Sequence, residues 1–112
     1  FMQMEIPEIN EDWARLAQIA QKWIDADPKN SDAWYELGNA QENLNKIDDA
    51  ETAYKQSALL DSKNTDSLFR LGVIAQARGD KVSVHNINLA IAKVDQALAD
   101  EYSNIMGCSK EC

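Results

Sequence analysis

The sequence predicts an all-α fold built from stacked antiparallel helical hairpins, and three observations support this prediction. Only 4 glycines and 2 prolines occur among 112 residues, whereas residues that favour helices, such as Ala, Leu, Gln, Glu and Lys, are abundant. Apolar residues recur at spacings of three, four and seven, which is the periodicity of one buried helix face. The sequence also matches itself after a shift of 34 residues, and a fixed period of this length indicates a stacked repeat architecture.

The length and charge of the chain limit its class and its partners. A chain of 112 residues with 45% hydrophobic residues suits one domain with one shared core. The formal net charge is −8, and the sequence lacks the basic stripe that phosphate neutralisation requires, so nucleic acid is not an expected partner. No run of about 18 apolar residues occurs, which predicts a soluble domain without a transmembrane segment.

The internal repeat is clearest in residues 27–32 (DPKNSD), which align with residues 61–66 (DSKNTD). The register continues through two Leu-Gly pairs, at residues 37–38 and 71–72. Gly in the middle of a helix costs about 0.5–1 kcal/mol relative to Ala, so a compensating reason is required at both places. We expect a neighbouring helix to approach each glycine closely.

The first part of the chain is predicted to be an arm followed by a single helix. Residues 1–9 are expected to be extended. A helix over residues 11–26, capped by Asn10, carries apolar residues that include Trp13 and Trp23. This helix looks like the second helix of a hairpin whose partner is missing, so residues 10–30 are predicted to be a partial repeat.

Two hairpins are predicted to follow the first helix. Ser31 and Thr65 are the expected N-caps, because a hydroxyl oxygen can accept a hydrogen bond from the unpaired amides of a helix start. The predicted bounds are 31–64 for the first repeat, with helices over 32–44 and 47–60, and 65–98 for the second repeat, whose first helix covers 66–78 and stops at Gly79.

The last third of the chain carries an uninterrupted helical pattern. From Lys81 an apolar stripe continues at spacings of three and four, with no proline or glycine before Gly107. This pattern predicts one long C-terminal helix, whose end within residues 99–112 caps the open side of the stack. The alternative is a break near residues 95–98, which makes the final segment the remnant of a further repeat.

The repeat residues resemble those of the tetratricopeptide repeat family. The W-x2-L-G signature of that family is matched by Trp34, Leu37 and Gly38, and in weaker form by Leu68 with the second Leu-Gly pair. Other family positions are matched by Ala50 and Tyr54 on the second helix of the hairpin and by the closing Pro28.

The resemblance covers roughly residues 10–106, and it is weakest in the last unit. There, Val84 and Asn88 stand where the family has alanine and an aromatic residue; Gln41 and Ser62 are further departures in the first unit. What the resemblance implies is a short right-handed superhelix of antiparallel hairpins.

The family resemblance also implies a function in binding proteins. In this family the first helix of each hairpin lines a concave groove, which receives a peptide or a helix of a partner. We therefore expect a non-enzymatic adaptor or scaffold, of the kind that serves chaperone assemblies among others. The expected partner-binding residues lie on the second and fourth helices: Tyr35, Asn39, Glu42, Phe69, Arg70, Val73 and Gln76.

The chemistry of these groove residues narrows the kind of partner. Asn39 and Arg70 resemble members of the clamp with which some family members hold a C-terminal carboxylate, but Tyr35 stands where a clamp lysine belongs. We therefore expect a different ligand, and the acidic surface favours association with a basic partner. The alternative function is structural self-assembly into a homo-oligomer through the first or the last helix.

No pattern in the sequence indicates catalysis, a metal or a cofactor. His85 is the only histidine, so neither a Ser-His-Asp triad nor a histidine-rich metal site is expected. Cys108 and Cys112 form C-x3-C, which is less diagnostic of zinc than C-x2-C, and we expect them in a tail that forms a disulfide only in an oxidising compartment. A cytoplasmic and a periplasmic location both fit. The chain begins at Phe1, which suggests a fragment or a processed product.

Overall fold

The computed structural model describes the backbone of residues 2–107 and the side chains from residue 12 to residue 107. Every regular element in this part of the chain is an α-helix, which confirms the predicted all-α class of stacked hairpins. None of these helices is both long enough and apolar enough to cross a membrane. The helices are α1 (Met2–Ala26), α2 (Ser31–Asn43), α3 (Ile47–Leu60), α4 (Thr65–Ala77), α5 (Lys81–Val94) and α6 (Gln96–Ile105).

The N-terminal arm predicted for residues 1–9 is wrong where the structure describes it. Helix α1 begins at Met2, so Asn10 lies inside a helix and does not cap one. Met, Gln and Glu at the start of this helix have high helix propensity. Pro7 is the sixth residue of this helix and has no amide to donate to the carbonyl of Gln3, so the helix lacks that one hydrogen bond.

The helix starts of α2 and α4 also differ from the prediction. The caps are Asn30 and Asn64, whose side-chain oxygens accept hydrogen bonds from the amides of Ala33 at 3.2 Å and Ser67 at 3.4 Å. The predicted caps Ser31 and Thr65 are the first helical residues instead. Asn is at least as good an N-cap as Ser or Thr, so the asparagine one position earlier takes this role.

The predicted long C-terminal helix is wrong, and the alternative break is correct. Asp95 adopts an extended conformation (φ −154°, ψ 105°) between α5 and α6. Its amide donates to the carbonyl of Ile91 at 2.8 Å, and its carboxylate accepts from the amide of Leu98 at 3.3 Å. Asp95 therefore ends one helix and caps the next, which an unbroken apolar stripe does not reveal.

Close approach at the two mid-helix glycines is confirmed. A Cβ atom added at Gly38 would lie 2.8 Å from Cδ1 of Tyr54, on the second helix of the same hairpin. At Gly72 the neighbouring ring is that of Tyr102, which comes from α6, and an added Cβ would lie 2.7 Å from its Cζ. Each glycine therefore makes room for a buried tyrosine.

A small polar cluster joins the first hairpin to α4. Ser57 is fully buried on α3, and its hydroxyl donates to the carbonyl of Ser31 at 2.8 Å. The side-chain nitrogen of Asn64 donates to the hydroxyls of Ser31 and Ser57 at 3.0 and 3.1 Å. The hydroxyl of Ser67 donates to that of Ser57 at 2.7 Å. Because these buried polar groups are hydrogen-bonded to one another, they hold three helices without an unsatisfied group.

Candidate partner-binding groove

The first helices of the hairpins, α2 and α4, stand beside α6 and form an open cleft. Its volume is about 260 Å³. Aromatic and aliphatic side chains alternate with carboxylates and hydroxyls around it. The lining residues are Tyr35 on α2, then Thr65, Asp66, Phe69 and Arg70 on α4, and Leu98, Glu101 and Ile105 on α6.

Two aromatic side chains of the cleft rest on buried tyrosines. The ring of Tyr35 lies 5.7 Å from that of Tyr54, measured between centroids, with the planes tilted by 47°. The ring of Phe69 meets Tyr102 edge-on, at a centroid distance of 5.9 Å. Tyr54 and Tyr102 are fully buried, so the core fixes the positions of the two half-buried rings that line the cleft.

An ion pair fixes Arg70, the one cation among the described residues that line the cleft. Arg70 donates from Nε to Oε1 of Glu42 at 3.1 Å and makes a second bond from Nη2 to Oε2, which gives a two-point contact. The hydroxyl of Tyr54 donates to the same Oε1 at 2.8 Å. The hydrogen bond to Glu42 raises the pKa of Arg70 above its ordinary value, so this guanidinium stays charged and paired.

The remaining predicted groove residues do not line this cleft. The side-chain nitrogen of Asn43 donates to the carbonyl of Asn39 at 2.8 Å, and that of Gln76 donates to the carbonyl of Met106 at 3.1 Å. Val73 packs against the apolar core between α4, α5 and α6. Of the seven predicted residues the structure therefore brings Tyr35, Phe69 and Arg70 to the cleft, with Glu42 behind Arg70.

Sequence reasoning missed the contribution of α6. Leu98, Glu101 and Ile105 share one helix face and form one wall of the cleft, but a continuous C-terminal helix places them elsewhere. A signal was present, because Asp27, Asp61 and Asp95 recur at the 34-residue period. Asp61 ends α3 in the same extended conformation in which Asp95 ends α5.

Carboxylates dominate the electrostatic environment of Tyr35 in the cleft. Burial raises the pKa of Tyr35 above its ordinary value, and the carboxylate of Asp66 raises it further. Glu36 and Glu42 act in the same direction, and only the guanidinium of Arg70 opposes them. The field therefore disfavours additional negative charge at Tyr35.

The cysteines and the histidine were singled out in the sequence without being assigned to a site. Cys108 and Cys112 lie outside the described residues, so their pairing stays a prediction. His85 is half-buried on α5. Among residues 12–107 no three side chains of His, Cys, Asp or Glu converge as they would around a metal ion.

Stacked helical hairpins with a cleft along their first helices define a helical repeat protein. A family model described as Tetratricopeptide repeat matches residues 19–52, from the second half of α1 into α3. This match and the hairpin stack support a tetratricopeptide repeat domain, and repeats of this kind generally mediate protein–protein interactions and are typically non-enzymatic. No protein of curated function shows significant sequence similarity to the chain.

Proposed function

We propose that this chain is a non-enzymatic adaptor that binds a peptide or a helix of a partner protein in the cleft between α2, α4 and α6. The observation that carries the proposal is the exposure of apolar surface beside fixed aromatic rings. Ile105 is 62% exposed, although it lines the same cleft as the half-buried Phe69 and Tyr35. Burial of this surface by a partner is favourable, at about 25 cal/mol per Å² of apolar area.

The open shape of the cleft suits part of a peptide better than a deeply buried small molecule. Its volume of about 260 Å³ lies at the lower limit of small-molecule pockets, which are deep and bury most of their ligand. The cleft is an open trough along three helices, which suits an extended segment or a helix that leaves side chains outside.

Affinity capture tests the adaptor proposal. The chain, its Ile105→Ala variant and its Phe69→Ala variant serve as baits, and retained proteins are identified by mass spectrometry. We expect a specific partner to be lost with both variants. Ile105 is largely exposed, so its truncation leaves the core intact, and circular dichroism checks that helicity is unchanged.

A matched control separates the cleft from general surface hydrophobicity. Leu59 on α3 is 80% exposed and lies outside the lining of this cleft, so Leu59→Ala removes a comparable aliphatic group elsewhere. The control bait is expected to retain the partner. Equal retention by the control and by both cleft variants would refute the assigned face.

The second candidate function is self-assembly, and one observation favours it. Ile19 and Trp23 on α1 are each 49% exposed, which leaves apolar surface at the first helix of the stack. Self-association through this face would give a homo-oligomer. Light scattering at two concentrations decides, because a monomer whose mass is independent of concentration removes this function.

A further inference from the structure

The rim of the cleft carries negative charge that no lysine or arginine among residues 12–107 neutralises. Asp66 on α4 and Glu101 on α6 are exposed and line the cleft from two sides. Within residues 12–107 neither carboxylate forms an ion pair with Lys or Arg. Arg70, the only cation in the lining, is paired with Glu42. The cleft therefore presents carboxylates that are free to attract an incoming cation.

The lining of the cleft beside these carboxylates has an apolar part, which forms its floor. Phe69 and Leu98 are half-buried, and Ile105 is mostly exposed. Phe69 rests on the buried ring of Tyr102, so this part of the surface is preformed. A preformed apolar floor loses little conformational entropy when a ligand side chain covers it, which favours insertion of one large apolar side chain.

We propose that the cleft selects a basic peptide segment, which inserts one large apolar side chain between Phe69, Leu98 and Ile105 and places flanking Lys or Arg residues against Asp66 and Glu101. This inference rests on the adaptor function proposed above and specifies its ligand. The charge complementarity carries it, because the two rim carboxylates come from α4 and α6, the same two helices that supply the apolar floor.

An acidic segment is disfavoured by the same geometry. A ligand carboxylate in the cleft meets Asp66 and Glu101, and its only cationic contact in the lining is Arg70. The guanidinium of Arg70 is already neutralised by its two-point contact with Glu42, so it offers a ligand carboxylate little net positive charge.

Fluorescence anisotropy with three labelled synthetic peptides tests the proposal on the full chain. The first peptide has a central leucine flanked by lysines, the second has the same leucine flanked by glutamates, and the third has lysines around a central alanine. We expect the first to bind about ten-fold more tightly than the second at low salt, with a smaller ratio at high salt. The third should bind about ten-fold more weakly than the first, because it lacks most of the apolar group that the floor covers.

Charge variants of the rim locate the effect. Asp66→Asn combined with Glu101→Gln should weaken binding of the lysine peptide by about two- to five-fold for each carboxylate. The control combines Asp12→Asn with Asp49→Asn, which changes the net charge equally at exposed positions outside the cleft lining. Asp49 also lies in the first turn of its helix, as Asp66 does, so the control matches the loss of a favourable helix-dipole interaction.

Several results would overturn this inference, and they separate it from the adaptor proposal. If the rim and control variants weaken binding equally, the charges of the cleft do not select the ligand. Tighter binding of the glutamate peptide, abolished by Ile105→Ala, refutes the basic ligand and leaves the cleft as a binding site. Failure of all three peptides to bind also refutes the inference, while the capture experiment with Ile105→Ala decides the adaptor function separately.

Discussion

The contact between α3 and α4 and the contact between α5 and α6 join successive helical units with different chemistry. In the first contact, buried Ser57 takes part in hydrogen bonds with Ser31, Asn64 and Ser67. In the second, Ile91 stands 34 residues after Ser57, is fully buried and belongs to an apolar cluster with Tyr102. A satisfied polar cluster and a close-packed apolar cluster therefore support the same stacking of helices.

The two units also differ in which helix supplies the aromatic ring beside the mid-helix glycine. Tyr54 on α3 fills the space beside Gly38. In the next unit Asn88 occupies the equivalent place on α5, and Tyr102 from α6 covers Gly72 instead. The volume beside the glycine is filled in both units, but by different helices. Close packing constrains the total volume at such a place more strongly than the identity of the residue that supplies it.

The connections before α4 and before α6 differ as well. Between α3 and α4 the chain passes from the C-cap Asp61 to the N-cap Asn64, whereas Asp95 alone serves both roles between α5 and α6. The second connection is therefore three residues shorter. The shorter connection places α6 where Tyr102 reaches Gly72 and Leu98 reaches the cleft.

The largest effect is expected from Tyr102→Ala, which removes the ring that α6 contributes to the second contact. Truncation of a buried aromatic side chain leaves a cavity beside Gly72, and we expect a loss of about 3–5 kcal/mol in the free energy of unfolding. Urea denaturation followed by circular dichroism measures the loss. Tyr102→Phe is the control, because it keeps the ring and removes only the hydrogen bond to the Val84 carbonyl, worth about 1 kcal/mol. An Ala variant as stable as the Phe variant would contradict the assigned packing.

A smaller effect is expected from alanine at the two glycines, and it should be unequal. An added Cβ at Gly72 overlaps the ring of Tyr102 more deeply than one at Gly38 overlaps the ring of Tyr54. Overpacking costs about 1–3 kcal/mol, and the higher helix propensity of alanine returns up to about 1 kcal/mol. We expect a net loss of roughly 1–2 kcal/mol for Gly72→Ala and a smaller loss for Gly38→Ala, measured as before. Equal losses would show that the two contacts tolerate volume equally.

The smallest effect is expected at alkaline pH. Burial raises the pKa of Tyr102 to about 12, above the ordinary value near 10 that applies to the unfolded chain. The unfolded chain therefore releases this proton first, and stability that is fully present below pH 10 is lost as the pH rises towards 12. At pH 11 we expect this contribution to have fallen by roughly 1 kcal/mol.

The Tyr102→Phe variant isolates that titration. Tyr54 also has a raised pKa, caused first by burial and then by its hydrogen bond to Glu42, and it titrates in both proteins. The stability of wild type relative to the variant should therefore fall steadily between pH 10 and pH 12, until the variant becomes the more stable protein. A difference that does not change over this range would contradict a buried neutral phenol at position 102.

Much of the fold could be predicted from the sequence because its signals are local or periodic. The 34-residue repeat and the apolar spacing predicted α2, α3, α4 and the start of α5 to within one or two residues, and the mid-helix glycines predicted close helix contacts. The cleft was predicted only in part. The repeat pattern predicted that Tyr35, Phe69 and Arg70 line the cleft. The positions of the α6 residues depend on where the chain turns before α6.

The sequence by itself determined the repeating helical architecture. Helix periodicity and helix caps depend on residues only a few positions apart along the chain, so they can be recognised without the tertiary structure. What only the tertiary structure decided is the position of α6 and, with it, the pairing of Gly72 with Tyr102 and the wall that α6 contributes to the cleft. The apolar stripe from Val84 to Ile105 suits either one helix or two. The break at Asp95 is stabilised by contacts across the fold, because only a turned α6 fills the space that Asn88 leaves beside Gly72.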